Sequence, residues 1–327
     1  MKKGLVLGKF MPLHNGHLSL INFAVQRCDQ LYVLLCYTSG ELIDGNTREQ
    51  WLRMALENIG NITVVSFNYD SSILPNTSIS SRDVSRQWAT AISNLLGPID
   101  VVFSSEPYGD YIAEYMGAVH ISFDEKRTLV PVSASVIREN PFLYWDYMPA
   151  HVRSWFVKKI CIVGSESTGK SMLAEKLAKY FNTTFVPEMA RDIIEKTSDV
   201  ILEDLDKIAI LQAQTILEKL PMANKLLFID TDINTTISYA SHLFSENLNV
   251  PLWIEEANRC DLYLYLETDC EYVQDGTRVS KEEREDLNLS HKEQFKKAGI
   301  NLVFVSGNWE KRTNEAISIV RSSFLNY

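Results

Sequence analysis

The segment Gly164-Ser165-Glu166-Ser167-Thr168-Gly169-Lys170-Ser171 constrains this chain more than any other. Its G-x-x-x-x-G-K-S spacing is that of a phosphate-binding loop, which works only between a β-strand and the helix that follows. Both flanks suit it: Ile160 to Gly164 is an apolar, strand-like run, and Ser171 to Tyr180 has helical character. In such a loop the backbone N–H groups of residues 164–171 form a nest around a β-phosphate. Lys170 reaches the β/γ oxygens, and the Ser171 hydroxyl is placed to ligate Mg²⁺. All eight residues are therefore candidate ATP contacts, with ATP as substrate and Mg²⁺ as the expected cofactor.

This loop sits halfway along 327 residues, so a second domain has room to precede it. Candidate strands before it are Leu5 to Phe10, Leu31 to Tyr37, Ile62 to Phe67, Val101 to Ser104 and Val119 to Phe123. Between them the apolar residues take helical spacing, as in Leu18, Ile21, Val25 and Cys28. After it come Leu226 to Asp230, Leu262 to Glu267 and Leu302 to Val305. Buried strands alternating with helices predict α/β architecture: two doubly wound parallel-sheet domains. The aromatic, Pro-containing stretch Pro141 to Phe156 marks the junction as a packed connector. It separates a domain over 1–155 from one over 156–327.

The first domain has its own phosphate turn, Gly8-Lys9-Phe10-Met11-Pro12-Leu13-His14-Asn15-Gly16-His17, between its first strand and first helix. Helix N-termini favour anions. His14 and His17 can hydrogen-bond the α- and β-phosphates of ATP as charge builds on them, and Lys9 adds a fixed positive charge. Gly16 allows close approach of backbone and nucleotide. Later, Ser133-Ala134-Ser135-Val136-Ile137-Arg138 offers two hydroxyls and a guanidinium, with Arg138 gripping the β/γ end. Gly8, Lys9, Phe10, His14, Gly16, His17, Ser133, Ser135 and Arg138 make up the expected site.

In the second domain, Asp230 or Asp232 closes an apolar strand and could hold Mg²⁺ or accept a proton from an attacking hydroxyl. Glu188 and Arg191 could hold an acceptor's hydroxyls, or form an exposed i,i+3 ion pair. Asp275-Gly276-Thr277-Arg278 opens a charged stretch that reads as a loop placing Arg278 over ATP, or as a solvated face.

The net charge of -10 argues against a nucleic-acid duplex as partner but not against small anions, which a local basic cluster can bind. The five cysteines lack Cys-x-x-Cys spacing and read as reduced core residues of a cytoplasmic protein. Lys2 and Lys3 precede an apolar run that breaks at Gly8 and Lys9, too short for a leader, and no run reaches the ~18 residues of a membrane span.

Together these motifs resemble the nucleotidyltransferase superfamily, with its His-x-Gly-His and Ser-x-Ser/Thr-x-x-Arg signatures, joined to a P-loop kinase. The whole chain resembles the bifunctional nicotinamide-nucleotide adenylyltransferase/ribosylnicotinamide kinase family of NadR type. The likeness runs from Gly4 to about Arg278. It includes Val102-Phe103-Ser104-Ser105-Glu106-Pro107, Asp124-Glu125-Lys126-Arg127-Thr128, Asn182-Thr183-Thr184 and Phe228-Ile229-Asp230-Thr231-Asp232. It implies phosphorylation of nicotinamide riboside by the C-terminal domain and adenylylation of the mononucleotide NMN to NAD by the N-terminal one, with Lys170 and Asp230 catalytic.

The resemblance also places Trp88 against the nicotinamide ring, although the helix Gln87 to Leu95 could equally bury it in the core. It places Glu188, Met189, Arg191 and Asp232 at the acceptor. Where many members have Glu-Tyr-x-Arg, this chain has Glu188-Met189-Ala190-Arg191, and Met can pack on a flat ring through its polarizable sulfur. Some members carry an N-terminal helix-turn-helix repressor module. Here the first strand begins at Gly4, so neither that module nor DNA binding is expected. A homo-oligomer is left open. Two competing readings are an adenylyltransferase/kinase of coenzyme A assembly, and a nicotinamide-nucleotide sensor with weak catalysis.

Overall fold

Short, wholly apolar segments separated by amphipathic ones leave the chain few choices but parallel strands covered by helices on both faces. The computed structural model, which describes residues 1–75, 81–194, 199–274 and 278–325, has this architecture twice. The chain divides into two compact units, Met1–Arg153 and Ser154–Tyr327.

In the first unit the order is β1 (Lys3–Gly8), α1 (Asn15–Val25), β2 (Gln30–Tyr37), α2 (Gly45–Leu56), β3 (Ile62–Asn68), α3 (Arg82–Leu96) and β4 (Val101–Ser104). α4 (Tyr108–Met116), β5 (Val119–Ser122), α5 (Ala134–Glu139) and α6 (Ala150–Arg153) follow. The sheet runs β3-β2-β1-β4-β5, all parallel, with Val6 paired to Val33 on one side and Phe103 on the other. The chain winds outward from β1 to β3, then returns to the other side of β1. Loops at the carboxyl ends of β1 and β4 diverge there and open a crevice. Leu5, Leu34, Ile92, Val102 and Ile112 are among the buried residues filling one face of the sheet. In the connector, Phe142 and Trp145 are buried and meet edge-to-face at 5.6 Å, whereas Trp155 is exposed.

The second unit runs β6 (Lys158–Val163), α7 (Lys170–Tyr180), β7 (Phe185–Val186), α8 (Ala190–Ile193), α9 (Leu202–Lys219), β8 (Leu226–Asp230) and α10 (Ile233–Phe244). It ends with α11 (Leu252–Asn258), β9 (Leu262–Leu266), α12 (Lys281–Lys297), β10 (Leu302–Val305) and α13 (Trp309–Phe324). Its parallel sheet is ordered β10-β9-β6-β8-β7. β6 is central, and the phosphate loop leaves its carboxyl end. Leu205, Ile208, Ala213 and Ile233 belong to a buried cluster joining α9 to α10.

All five cysteines are free. Only Cys36 and Cys161 are buried; Cys28, Cys260 and Cys270 are half-buried, because they lie just beyond strand or helix ends and not within them. Among the described residues, no helix is long and apolar enough to cross a membrane.

Candidate active sites

In the first unit a cavity of about 250 Å³ opens at the carboxyl ends of β1 and β4. Gly8, Phe10, His14, Gly16, His17, Ser133 and Ser135 all line it. His14 is the N-cap of α1: its backbone is extended, and its Nδ1 accepts the Gly16 N–H at 3.1 Å. His17 Nδ1 in turn accepts the His14 N–H at 3.4 Å, and the two rings stack at 3.7 Å. An imidazole in this role is unusual, since caps are commonly Ser, Thr, Asp or Asn. It has a chemical consequence. With Nδ1 of each ring accepting a backbone hydrogen, the neutral ring carries its own hydrogen on Nε2. The pair thus offers two Nε2–H donors for an anion.

Charge follows the same logic. Burial, then the nearby Arg127 guanidinium, lowers the His14 pKa from 6.5 to about 4. His17 is held well below its usual value by burial, then by His14 and Arg127. Gly16 has a local reason as well: a Cβ there would lie 2.9 Å from the His14 ring. The glycine spares the capping imidazole, a closer constraint than the nucleotide approach expected of it.

Three expected contacts are placed differently. Lys9 is engaged by Glu41 at 2.6 Å, and Glu41 also binds the fully buried Arg48 at 2.5 Å. Lys9 is therefore paired, not a free cation, and it does not line the cavity. Arg138 donates to the Met11 carbonyl and, at 3.2 Å, to Ser135 Oγ, so it fastens the turn instead of lining the cavity. Trp88 is buried in the core against Phe67 and Tyr69, its indole N–H donated to the Pro75 carbonyl at 3.2 Å. It too is absent from the cavity lining.

The sequence pattern assigned no role to Arg127, which lines the cavity and bonds Glu106 at 2.7 Å. The Asp124 carboxylate accepts the Thr128 N–H at 2.7 Å and the Leu129 N–H at 3.1 Å, folding the turn that presents Arg127. Its segment, Asp124 to Thr128, is part of the family likeness, but the residues alone gave Arg127 no role; the fold brings it to the histidines.

In the second unit a cavity of about 670 Å³ is lined by Glu166, Ser167, Thr168, Gly169, Lys170, Ser171, Glu188, Met189, Arg191, Asp232 and Arg278 among others. Gly164 and Gly169 have φ of +144° and +87°, left-handed values that a side chain resists, and a Cβ on Gly164 would lie 2.6 Å from the Leu266 carbonyl oxygen. Lys170 Nζ and Thr168 Oγ1 donate to the Ser165 carbonyl at 3.1 and 2.8 Å.

Glu188 and Arg191 do form an i,i+3 ion pair at 3.2 Å, and Arg191 also donates to Ser171 Oγ at 3.0 Å. The pair therefore belongs to the cavity instead of being bare surface. Met189 is buried, its N–H bound to Gln212 and its sulfur accepting from Thr215 Oγ1 at 3.4 Å. Gln212 also donates to the carbonyls of Asp230 and Thr231, joining the segment around Met189 to the end of β8; no sequence motif marked it.

The two aspartates are distinct. Asp232 caps α10, accepting from the Thr235 N–H at 3.2 Å and from Asn234 Nδ2 at 2.8 Å, so its carboxylate is committed to the helix. Asp230 is fully buried, its Oδ2 has no hydrogen-bond partner among the described residues, and burial, then Glu188, raises its pKa to about 6. A buried carboxylate that keeps an unbonded oxygen and is approached by the Ser171 hydroxyl fits a hard cation such as Mg²⁺. Glu166 and Ser167 do not point solely at the cavity. Glu166 accepts the Val279 N–H at 2.9 Å and the Tyr239 hydroxyl at 3.2 Å, and Ser167 Oγ accepts from Arg278 at 3.2 Å. Asp275, Gly276 and Thr277 lie outside the described residues.

The fold and these two turns define a class: a Rossmann-like His-x-Gly-His unit followed by a P-loop unit. Comparison with known proteins narrows it. A family model described as "AAA domain" matches residues 159–312. The chain is 32% identical, over 97% of its length and 82% of the relative's, to the trifunctional NAD biosynthesis/regulator protein NadR of Escherichia coli. It is 34% identical to NadR of Salmonella typhimurium, over 84% of this chain and 71% of that one. A nicotinamide-nucleotide adenylyltransferase of Saccharolobus solfataricus is 29% identical over 33% of this chain and 60% of its own. The solved structure of a NadR protein in complex with NR has the same fold, with a TM-score of 0.81 at 22% identity, covering 100% of this chain and 97% of that one. The chain belongs to the NadR family.

Proposed function

We propose that this chain makes NAD in two ATP-dependent steps, one in each unit. In the second unit the 5′-hydroxyl oxygen of nicotinamide riboside attacks the γ-phosphorus of ATP. The hydroxyl proton is released to solvent as the O–P bond forms, ADP leaves, and NMN forms. In the first unit a phosphate oxygen of NMN attacks the α-phosphorus of a second ATP, pyrophosphate leaves, and NAD forms.

The observation that carries this reading is the pair of separate phosphate-type cavities, one closed by stacked neutral histidines and one by a phosphate loop. Their work is positional and electrostatic. His14 and His17 offer Nε2–H donors where charge develops on the phosphates, and Arg127, paired with Glu106, lines the same cavity. Lys170 and the loop amides hold the ATP of the second unit. Glu188 and Arg191 hold the acceptor's ribose, with Met189 toward its ring. Mg²⁺ would be held by Ser171 and Asp230, and when bound it neutralises phosphate charge. The complexes of NadR proteins with NR, and with NAD and AMP-PNP, support the choice of substrates.

The test is incubation with ATP, Mg²⁺ and either nicotinamide riboside or NMN, followed by chromatography. The riboside should yield NMN and then NAD, and NMN should yield NAD and pyrophosphate. No product from either substrate, or turnover of phosphopantetheine instead, would overturn the reading.

A further inference from the structure

A phosphate loop binds anions through N–H groups that all face one side, and something must hold the opposite carbonyls on the other. In a trans peptide the C=O and N–H point in opposite directions, so a bond that anchors a loop carbonyl also aims the next residue's N–H. Three loop carbonyls are anchored in this way. The Ser165 carbonyl is held by Thr168 Oγ1 and Lys170 Nζ, and the Ser167 carbonyl accepts from Cys270 Sγ at 3.3 Å. The Thr168 carbonyl accepts from Arg312 Nη1 at 3.0 Å. Arg312 comes from the first turn of α13, far along the chain, and does not line the cavity.

Arg312 is 1% exposed, and its whole guanidinium is engaged. Nε donates to the Gly307 carbonyl at 2.7 Å, and Nη2 to the Glu267 carbonyl at 2.8 Å and to the Asp269 carboxylate. Asp269 also accepts the Gly307 N–H at 2.6 Å. Next to it, Trp309 lies against Gly169, where an added Cβ would sit 3.1 Å from the indole. A planar fork satisfying acceptors on four residues at once is a task for Arg and not for Lys, whose point charge cannot span them.

We propose that Arg312 is a positioning residue for phosphoryl transfer. By fixing the Thr168 carbonyl, with its own orientation set by Asp269, it turns the Gly169 N–H toward the ATP phosphates. The role rests on the kinase reading of the second unit, and the experiment separates the two. In Arg312→Lys, the KM for ATP in riboside phosphorylation should rise about tenfold or more through loss of a charge-assisted bond. The kcat and the KM for riboside should change little. The KM for ATP in adenylyl transfer, measured on the same protein, should stay at the parent value.

General destabilisation would instead lower the apparent kcat and leave the KM for ATP alone. Asp269→Asn, at a partly exposed position, is the milder variant, and it should raise the same KM about threefold. If Arg312→Lys folds and its KM for ATP stays within about twofold of the parent, the positioning role is wrong. If it does not fold, an unchanged KM in Asp269→Asn overturns the role just as firmly. A parent protein that phosphorylates no riboside overturns the kinase reading, and the positioning role with it.

Discussion

At the scale of single residues, the chemistry depends on which polar atoms are already used. His17 accepts the His14 N–H through Nδ1, so only its Nε2–H remains to donate. We expect His17→Ala to lower the kcat for NAD formation from NMN by ~10²-fold or more, since one donor aimed at developing charge is worth that much. Riboside phosphorylation should be nearly unaffected. A variant with near-parent NAD synthesis would remove His17 from the reaction. The same accounting separates the aspartates. The residues alone leave Asp230 and Asp232 equal as metal ligand or base, but the Asp232 oxygens are spent on capping α10, whereas one Asp230 oxygen has no hydrogen-bond partner among the described residues. Lys9, expected to add a fixed positive charge at the phosphates, is paired with Glu41, which the buried Arg48 also binds.

At the scale of elements, the N-terminus of α1 is capped by His14, which ties the strength of the cap to pH. His14 titrates at about 4 in the folded protein against 6.5 when unfolded. Above pH 6.5 both states are neutral and the cap is at full strength. As pH falls below 6.5 the unfolded chain takes up the proton first, so stability drops, and the loss ends near pH 4. The slope is about 1.4 kcal/mol per pH unit for one group. His14→Asn keeps a capping side chain that does not titrate. Its unfolding free energy relative to the parent, from urea titrations at pH 7 to 4, should therefore improve by about 1 kcal/mol per unit over that window. A gap independent of pH would show that the cap does not titrate in this way. Among the helices of the second unit, α13 shows how a remote element can serve a loop, through Arg312 on the Thr168 carbonyl and Trp309 against Gly169.

At the scale of the whole molecule, the two units each have their own sheet, core and cavity. Lys170 lines only the larger cavity. We expect Lys170→Ala to abolish riboside phosphorylation while NMN adenylylation proceeds at the parent rate, each assayed separately by product chromatography. Loss of both activities in a protein that still melts cooperatively would mean that the units share one site.

Much of this was legible in the sequence because it is local. Strands and helices follow from apolar periodicity, and both phosphate turns follow from glycine and histidine spacing around a strand end. The parallel sheets follow from the alternation of the elements. What the sequence could not rank is competition among polar groups. Arg127, Gln212 and Arg312 meet partners 15 or more residues away, at Glu106, Asp230 and Thr168, and no local pattern gave any of them a role. Trp88 could face a ligand or the core, and only the packing of α3 against β3 placed it beside Phe67. Backbone pattern is set by neighbours along the chain, so sequence determines it. Which carboxylate is paired, which guanidinium is buried and which imidazole is neutral depend on atoms brought together from distant segments, and the tertiary structure alone decided them.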